Sequence, residues 1–430
     1  MARLLIERGA PPVLVDDDPD AAAHRVPTVM GTPLVVRAPE PSVLGGVDVI
    51  VRSPGVSRYR NELVDAARGG VAVTTPLAVW LEDFHDAPVL AVTGTKGKST
   101  TATLAARILE HGGAGVALVG NIGVPVTDLY RHGDFDAFVV EVSSYQAAEV
   151  TTSPAVCVLT SLAPDHLDWH GSVEAYYEDK LRLITAGPPG SLAVNAGSPE
   201  AVRRTADHSG RLLYGDHGRV QADSGWISID GERLVEYGGL RAPGAHNVAN
   251  LCGAIAGVLL LTGSRPAASA VAGVIEGFDG LPSRCQSIGT RNGLEFVDDA
   301  LASNPFATAA SVTSYGDRPM TLILGGADRG VDFSQLADAV AMRRPTPRIV
   351  VIPPDGGRIV DRVMTAGREH EVDLSITEAA DLGDAARMAV TITPNGGVVL
   401  FSPGAPTPDG VGGFRERSRL FREAFEVLDR

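Results

Sequence analysis

The chain has 430 residues, which is too long for one ordinary hydrophobic core and predicts two or three domains. Its net charge of −15 argues against a nucleic-acid backbone or an anionic membrane as the main partner. The three cysteines lie far apart, which disfavours a disulfide framework or a zinc site and fits a reducing compartment. We find no apolar run of membrane-spanning length and no secretory signal, so we expect a cytoplasmic protein.

Short apolar strands alternate with helical segments along most of the chain. This alternation predicts βα units, parallel sheets and an α/β fold. The first residues, 2–10, read as the back half of a helix, so a preceding strand and glycine turn are expected upstream. In chain order, we predict strands at 12–16, 47–52, 71–74, 88–93, 137–142, 155–160, 191–195, 294–298, 320–325, 348–352 and 397–401.

Three domains are expected from this pattern. Residues 1–86 form the first, residues 87–278 form a central domain, and residues 279–430 form the third. The Gly- and Pro-containing segment 277–282 reads as the hinge before the third domain.

A glycine-rich segment at residues 91–101 predicts a triphosphate site. Gly94 and Gly97 let backbone N–H groups turn inward, and the following helix directs its positive N-terminal end at the phosphates. Lys98 would hold the outer phosphates, and Ser99 or Thr100 would give a hydroxyl to Mg²⁺. A Gly/Lys/Ser surface turn is the alternative, but the flanking buried-strand and helical patterns argue against it.

Three further residues are candidates for binding a metal or phosphate. Glu141 ends a strand, where a carboxylate can reach a hard cation; His166 follows another strand, and Lys180 lies on the next helix. Each alone is more often a solvated or capping residue.

Taken together, these motifs resemble the Mur ligase family, ATP-dependent amide-forming enzymes of peptidoglycan precursor synthesis. The matching segments are 93–100, 120–125, 141–146, 165–171, 244–250 and 281–284. The resemblance covers nearly the whole chain. It implies a Rossmann-like N-terminal domain that binds the UDP substrate, a central P-loop ATPase-like domain with a parallel sheet, and a Rossmann-like C-terminal domain that binds glutamate.

The resemblance also implies a role for each site residue. It implies that the catalytic residues are Lys98, His166 and Lys180. The residues implied to bind ATP are Gly94, Thr95, Lys96, Gly97, Lys98, Ser99, Thr100, Asn250, Arg284 and Asp299. Those implied to bind magnesium are Ser99, Thr100, Glu141, His166 and Lys180, with Lys180 carbamylated. Those implied to bind the substrate are Ser53, Pro54, Gly55, Asn121, Ser143, Ser144, Gln146, Ser303, Arg329, Ser402 and Phe414.

The implied reaction is the addition of glutamate to UDP-N-acetylmuramoyl-L-alanine through an acyl phosphate, with ATP and Mg²⁺ and no nucleic-acid or membrane partner. A cytoplasmic monomer is expected. The segments that would hold glutamate depart from the D-glutamate pattern, with Leu301, Ser303 and Arg329 where a Lys, a Thr and a Lys are usual, and with an altered segment 402–410. Since Arg and Lys differ at carboxylate clamps, the pattern favours L-glutamate, although drift in a tolerant pocket is the alternative.

Two other functions stay open. One is a Mur-like ligase that acts on another carboxylate, such as a folate or a lipid-linked precursor. The other is an inactive homologue that binds nucleotide without turnover. The altered third domain and the absent opening strand favour this second function. The retained Lys98, Glu141, His166 and Lys180 argue against it.

Overall fold

The computed structural model describes the whole chain except residues 21, 23–27, 30–31, 123, 132–133, 188–189, 241–243, 328–332, 355, 409–411 and 429–430. The described chain divides into two compact units. The first contains residues 1–238 and 248–274, and the second contains residues 239–247 and 275–430. The predicted division into three domains stays a prediction.

The described strands of the first unit are β1 Leu14–Val15, β2 Thr28–Val29, β3 Thr32–Pro33, β4 Val36–Arg37, β5 Val49–Val51, β6 Ala72–Thr74, β7 Val89–Thr93, β8 Val116–Gly120, β9 Ala137–Glu141, β10 Val156–Leu159, β11 Ser191–Asn195, β12 Arg211–Tyr214, β13 Val220–Asp223, β14 Trp226–Ile229 and β15 Glu232–Glu236. Its described helices are α1 Ala2–Glu7, α2 Pro41–Leu44, α3 Asn61–Arg68, α4 Pro76–Asp83, α5 Lys98–His111, α6 Ser144–Ala147, α7 Leu167–His170, α8 Val173–Thr185, α9 Pro199–Arg204, and most of α10 Ala245–Thr262 and α11 Ala268–Gly277, with a 3-10 helix at Val126–Arg131.

A nine-stranded sheet dominates the first unit, in the order β15-β14-β13-β12-β11-β10-β7-β9-β8. The strands from β8 to β13 pair in parallel, and β14 and β15 extend the edge in antiparallel. Within the sheet, β9 and then β8 lie on one side of β7, and β10 lies on its other side. The carboxyl end of β7 is therefore a topological switch point, where open α/β sheets bind ligands.

Smaller sheets precede the large one. β1 pairs in parallel with β4, β5 pairs in parallel with β6, and β2 and β3 form a short antiparallel pair. The helix predicted at the start of the chain is present as α1.

The second unit contains the described strands β16 Gln286–Arg291, β17 Leu294–Asp298, β18 Met320–Leu324, β19 Arg348–Val351, β20 Ile376–Glu378 and β21 Val398–Phe401, and the described helices α12 Pro305–Thr313, α13 Ser334–Met342, α14 Gly356–Glu369, α15 Leu382–Ile392 and α16 Gly413–Val427. Its six-stranded sheet has the order β16-β17-β21-β18-β19-β20, and only the β16–β17 pair is antiparallel. Buried apolar clusters cover this sheet, so the predicted α/β fold is confirmed.

We expected no apolar run of membrane-spanning length, and helix α10 departs from this expectation. Its 18 residues are long and apolar enough to cross a membrane by length and composition, and 61% of that window is buried inside the structure. A Cβ added at Gly257 would lie 2.7 Å from the side chain of Val158 and 2.9 Å from that of Leu90, so the helix packs closely on β10 and β7. A buried core helix of this kind is weak support for a membrane span.

Candidate active site

The predicted phosphate loop connects β7 to α5. Gly94 and Gly97 have φ values of +146° and +89°, in the region that disfavours side chains. A Cβ at Gly94 would lie 2.0 Å from the Thr160 hydroxyl, and a Cβ at Gly97 would lie 2.4 Å from Asn250 Oδ1. Both glycines are therefore required, and the loop ends at the positive N-terminus of α5.

Residues after β10 hold the loop in place. The Thr95 backbone N–H donates to the Ser161 carbonyl at 2.8 Å, and the Lys96 N–H donates to the Ser161 hydroxyl at 2.9 Å. The Thr160 hydroxyl donates to the Lys96 carbonyl at 2.6 Å. The Thr95 hydroxyl lies 2.8 Å from the phenol oxygen of Tyr176 on α8. These bonds fix the loop between two strand ends.

Two ammonium groups meet at the carbonyl oxygen of Gly94. Lys98 Nζ donates to it at 3.0 Å and to the Thr95 carbonyl at 3.1 Å, and Lys180 Nζ donates to it at 2.9 Å. Lys180 is 1% exposed. Burial, reinforced by the positive charge of Lys98, holds the pKa of Lys180 well below its ordinary value.

The lysines of this chain are confined to this site. Of 37 lysine and arginine residues, only Lys96, Lys98 and Lys180 are lysines. Lys96 Nζ lies 3.2 Å from Asp165 Oδ2, and the charges of Lys96, Lys98, Asp165 and Glu141 all act on Lys180. The site therefore uses compact ammonium groups where the rest of the chain uses guanidinium groups.

Glu141, the last residue of β9, is buried with one free carboxylate oxygen. Asn121 Nδ2 donates to Glu141 Oε1 at 2.9 Å. Oε2 has no hydrogen-bond partner among the described residues, and the side chain is 1% exposed. A buried carboxylate oxygen without a partner is unfavourable, and a bound cation would offset that cost. Mg²⁺ fits this position, because it is usually held by one or two carboxylates, phosphates and water.

His166 lies at the rim of the same region. It has a positive φ of 53° and precedes α7. Its side chain is 48% exposed, and its ring centroid lies 5.0 Å from that of Tyr145. Burial lowers the pKa of His166, and the nearby charges of Lys180 and Lys98 lower it further. The imidazole is thus favoured in its neutral, metal-binding form. Within the described ranges, no cluster of three His, Cys, Asp or Glu side chains forms a ready metal site.

The other predicted nucleotide residues of this unit follow the loop. Ser99 and Thr100 are buried in the first turn of α5. Asn250, on α10, lies against Gly97, and the Thr101 hydroxyl donates to Asn250 Oδ1 at 3.3 Å. The structure thus brings Gly94–Thr100, Asn250, Glu141 and Lys180 to one edge of the sheet.

The predicted substrate residues of the first unit belong to three segments. Asn121 follows β8 and donates to Glu141. Ser53, Pro54 and Gly55 follow β5. Ser143 and Gln146 form a capping box at the start of α6, which already accounts for both side chains. The Ser144 hydroxyl lies 2.9 Å from His170 Nε2.

Four functional candidates were missed by the sequence reasoning. Arg52, Glu149, Asp179 and His170 are buried and hydrogen-bonded to these segments. His170 is 2% exposed and uses both ring nitrogens in hydrogen bonds. The sequence signal for such residues is an ionisable side chain within an apolar segment. Their hydrogen-bond partners are distant in sequence, so no local pattern identifies them.

The remaining predicted residues lie in the second unit. Asp299 follows β17 and accepts from the Ser402 hydroxyl at 2.6 Å, the Ser311 hydroxyl at 2.7 Å and the Cys285 N–H at 3.0 Å. Burial raises the pKa of Asp299 to about 6. Ser402 is fully buried in this network.

The positive charge of Arg284 acts on Asp299 and opposes the rise in its pKa. Ser303 lies beyond β17 and is exposed. Phe414 is half-buried in the first turn of α16. Arg329 lies outside the described residues.

A glycine loop at a switch point, with an ammonium group and a helix N-terminus, defines a P-loop nucleotide-binding α/β protein. Residues 92–258 match the Mur ligase middle domain. A UDP-N-acetylmuramoyl-L-alanine--L-glutamate ligase of Micromonospora sp. is 38% identical over 426 residues, which cover 96% of this chain and 90% of that protein. A UDP-N-acetylmuramoylalanine--D-glutamate ligase of Pelotomaculum thermopropionicum is 31% identical, covering 98% of this chain and 94% of that protein.

Solved structures show the same fold. The crystal structure of MurF ligase from Thermotoga maritima in complex with ADP has a TM-score of 0.60 at 16% identity, covering 88% of this chain and 94% of that one. The chain belongs to the Mur ligase family. It is therefore an ATP-dependent ligase that forms an amide bond.

Proposed function

We propose that this enzyme adds L-glutamate to UDP-N-acetylmuramoyl-L-alanine, a step of peptidoglycan precursor synthesis in the cytoplasm. The observation that carries the proposal is the meeting of Lys98 and Lys180 at the Gly94 carbonyl, at the edge where Glu141 ends β9. Three relatives at 34–38% identity are named as L-glutamate ligases, which supports the substrate class. A monomer of three domains is part of the proposal.

Magnesium would be held by Glu141, His166, the carbamylated Lys180 and a hydroxyl of Ser99 or Thr100. The orphaned Glu141 Oε2 supports this assignment. When bound, the ion would neutralise charge on the phosphates of ATP. The sparse protein ligand set suits an ion that keeps water and phosphate ligands.

The surroundings of Lys180 support a carbamate on this side chain. The amine is buried beside the ammonium group of Lys98, so its protonated form is unfavourable there. Reaction of the neutral amine with CO₂ forms an N–C bond, releases a proton and leaves an anionic carboxylate-like group. That anion would attract Lys98 and a metal ion, whereas the ammonium repels both.

The residues of the loop would then serve phosphoryl transfer. The backbone N–H groups after Gly94 and the N-terminus of α5 would bind the phosphates, and Lys98 would neutralise the γ-phosphoryl as it moves. An oxygen of the alanine carboxylate attacks the γ-phosphorus, and ADP leaves. The amine of glutamate attacks the resulting acyl phosphate and loses a proton, and phosphate leaves with the carboxylate oxygen.

The preference for L-glutamate rests on the second unit. Leu301, Ser303 and Arg329 replace the residues usual for D-glutamate, and three relatives at 34–38% identity are named for L-glutamate. The relative named for D-glutamate is less similar, at 31% identity. We also propose that Ser402 and Phe414, in the same unit, bind glutamate.

The test is phosphate release with ATP, Mg²⁺ and UDP-N-acetylmuramoyl-L-alanine, with L- and D-glutamate compared side by side. We expect release with L-glutamate to exceed that with D-glutamate by at least about tenfold, the ratio that one lost hydrogen bond gives. Release with D-glutamate alone would overturn the preference. Release with neither would overturn the function.

A further inference from the structure

Arg52 is a buried arginine directly after β5. Its side chain is 1% exposed, and that of its partner Glu149 is 5% exposed. Burial lowers the pKa of Arg52, and the charge of Glu149 opposes this effect. Arginine is rarely buried, because its five N–H donors must then all be satisfied by protein acceptors.

The guanidinium of Arg52 joins two segments that are far apart in sequence. Nε donates to Glu149 Oε1 at 3.1 Å, and one terminal nitrogen donates to the Tyr145 carbonyl at 2.8 Å. The other terminal nitrogen donates to the carbonyls of Val56 at 2.9 Å, Pro54 at 3.3 Å and Ser53 at 3.4 Å. A planar fork is needed to reach both sides at once.

These two segments are the ones proposed to bind the UDP substrate. The carbonyls of Ser53, Pro54 and Val56 belong to the turn after β5. Tyr145 lies in α6, next to Ser144, and Glu149 follows this helix. One side chain therefore sets the distance between the turn and α6.

A second set of contacts attaches the same turn to α8, which carries Lys180. The Tyr59 hydroxyl donates to Asp179 Oδ2 at 2.9 Å, and Arg58 donates to Asp179 Oδ1 at 3.4 Å. Asp179 Oδ2 also lies 2.7 Å from His170 Nδ1, and His170 contacts Ser144. The turn is thus fixed to α6 as well as to α8.

We propose that Arg52 is a positioning residue for the UDP-linked substrate. By holding the 53–56 turn against α6, it preorganises the surface on which the nucleotide sugar binds, without touching ATP or glutamate. Preorganisation lowers the entropy lost on binding, so loss of the fork raises KM for this one substrate. The inference rests on the proposed function.

The test compares Arg52→Lys with wild-type enzyme in three KM measurements, for UDP-N-acetylmuramoyl-L-alanine, ATP and glutamate. Lysine keeps the charge and loses the fork. We expect KM for the UDP substrate to rise by about tenfold, as for a lost charged hydrogen bond, with the other two KM values within about twofold. Arg68→Lys, in an exposed pair with Asp65, is the matched control and should change none of them.

Glu149→Gln is the second variant, because it leaves the carbonyl bonds of Arg52 in place and is expected to fold if Arg52→Lys does not. It should raise the same KM by a smaller factor. An unchanged KM for the UDP substrate in a folded variant, or an equal rise in all three KM values, would overturn the inference. A wild-type enzyme inactive with this substrate would instead overturn the proposed function.

Discussion

Lys98 and Lys180 donate to the same oxygen atom, the carbonyl of Gly94, at 3.0 and 2.9 Å. Two ammonium groups this close repel each other, and the repulsion is strong because Lys180 is fully buried. The proposed conversion of Lys180 into a carbamate would replace this repulsion by attraction. We infer that this is why a buried lysine, rather than a smaller apolar residue, occupies this position on α8.

Lys180→Ala should remove activity while leaving the fold intact. We expect kcat to fall by roughly 10² to 10⁴-fold, the range for loss of one charge-stabilising group. A short carboxylic acid, which can enter the space left by the side chain, should restore part of kcat. Lys98→Ala should lose as much kcat and show no rescue by the acid. Wild-type kcat in Lys180→Ala would contradict the role of this residue.

Glu141→Gln should abolish stabilisation by Mg²⁺. Binding of an ion to the folded state raises the free energy of unfolding, by about 2.7 kcal/mol at a hundredfold excess over Kd. We expect Mg²⁺ with a non-hydrolysable ATP analogue to raise Tm of the wild type, and not that of Glu141→Gln. Without metal, the variant should be at least as stable as the wild type, because the orphaned Oε2 becomes a neutral amide. A metal-dependent Tm rise equal in both proteins would argue against Glu141 as a ligand.

Gly97→Ala and Gly113→Ala form a matched pair at the two ends of α5. Both glycines have φ near +90°, so both variants carry about 1–2 kcal/mol of backbone strain. Only Gly97 faces a clash, because a Cβ at Gly113 meets nothing within 4 Å. We therefore expect ATP affinity to fall in Gly97→Ala alone, as measured by titration calorimetry. Equal ATP affinity in both variants would show that the close approach to Asn250 is unimportant.

The parts of this site that depend on local spacing could be predicted from the sequence. The glycine loop, Glu141 at the end of β9 and the parallel strands all follow from short patterns. The contacts of Arg52 with Tyr145 and Glu149 could not be predicted, since these two residues lie 93 and 97 residues away and no local pattern links them to Arg52. The antiparallel edge β13–β15 was also missed, because its short strands mix polar and apolar residues. Ser143 and Gln146 matched a substrate motif, yet a local capping box accounts for both.

Asp299 should make stability fall as pH rises. Its pKa is raised from 3.8 to about 6 in the folded protein, so between these values the folded state binds more protons than the unfolded state. The associated stability is present below pH 3.8 and lost as pH rises through about 6, by roughly 3 kcal/mol in total. Asp299→Asn should lack this loss, so the difference in free energy of unfolding between the two proteins should change over this range. A difference independent of pH would contradict the raised pKa.

We propose that this enzyme activates the alanine carboxylate by phosphoryl transfer beside Lys98 and Lys180. The decisive experiment uses UDP-N-acetylmuramoyl-L-alanine with heavy oxygen in that carboxylate, and mass analysis of the phosphate released during turnover with ATP and glutamate. We expect one labelled oxygen in each phosphate and the other in the amide. Phosphate without label, in a reaction that forms the amide, would show that the carboxylate is not activated in this way.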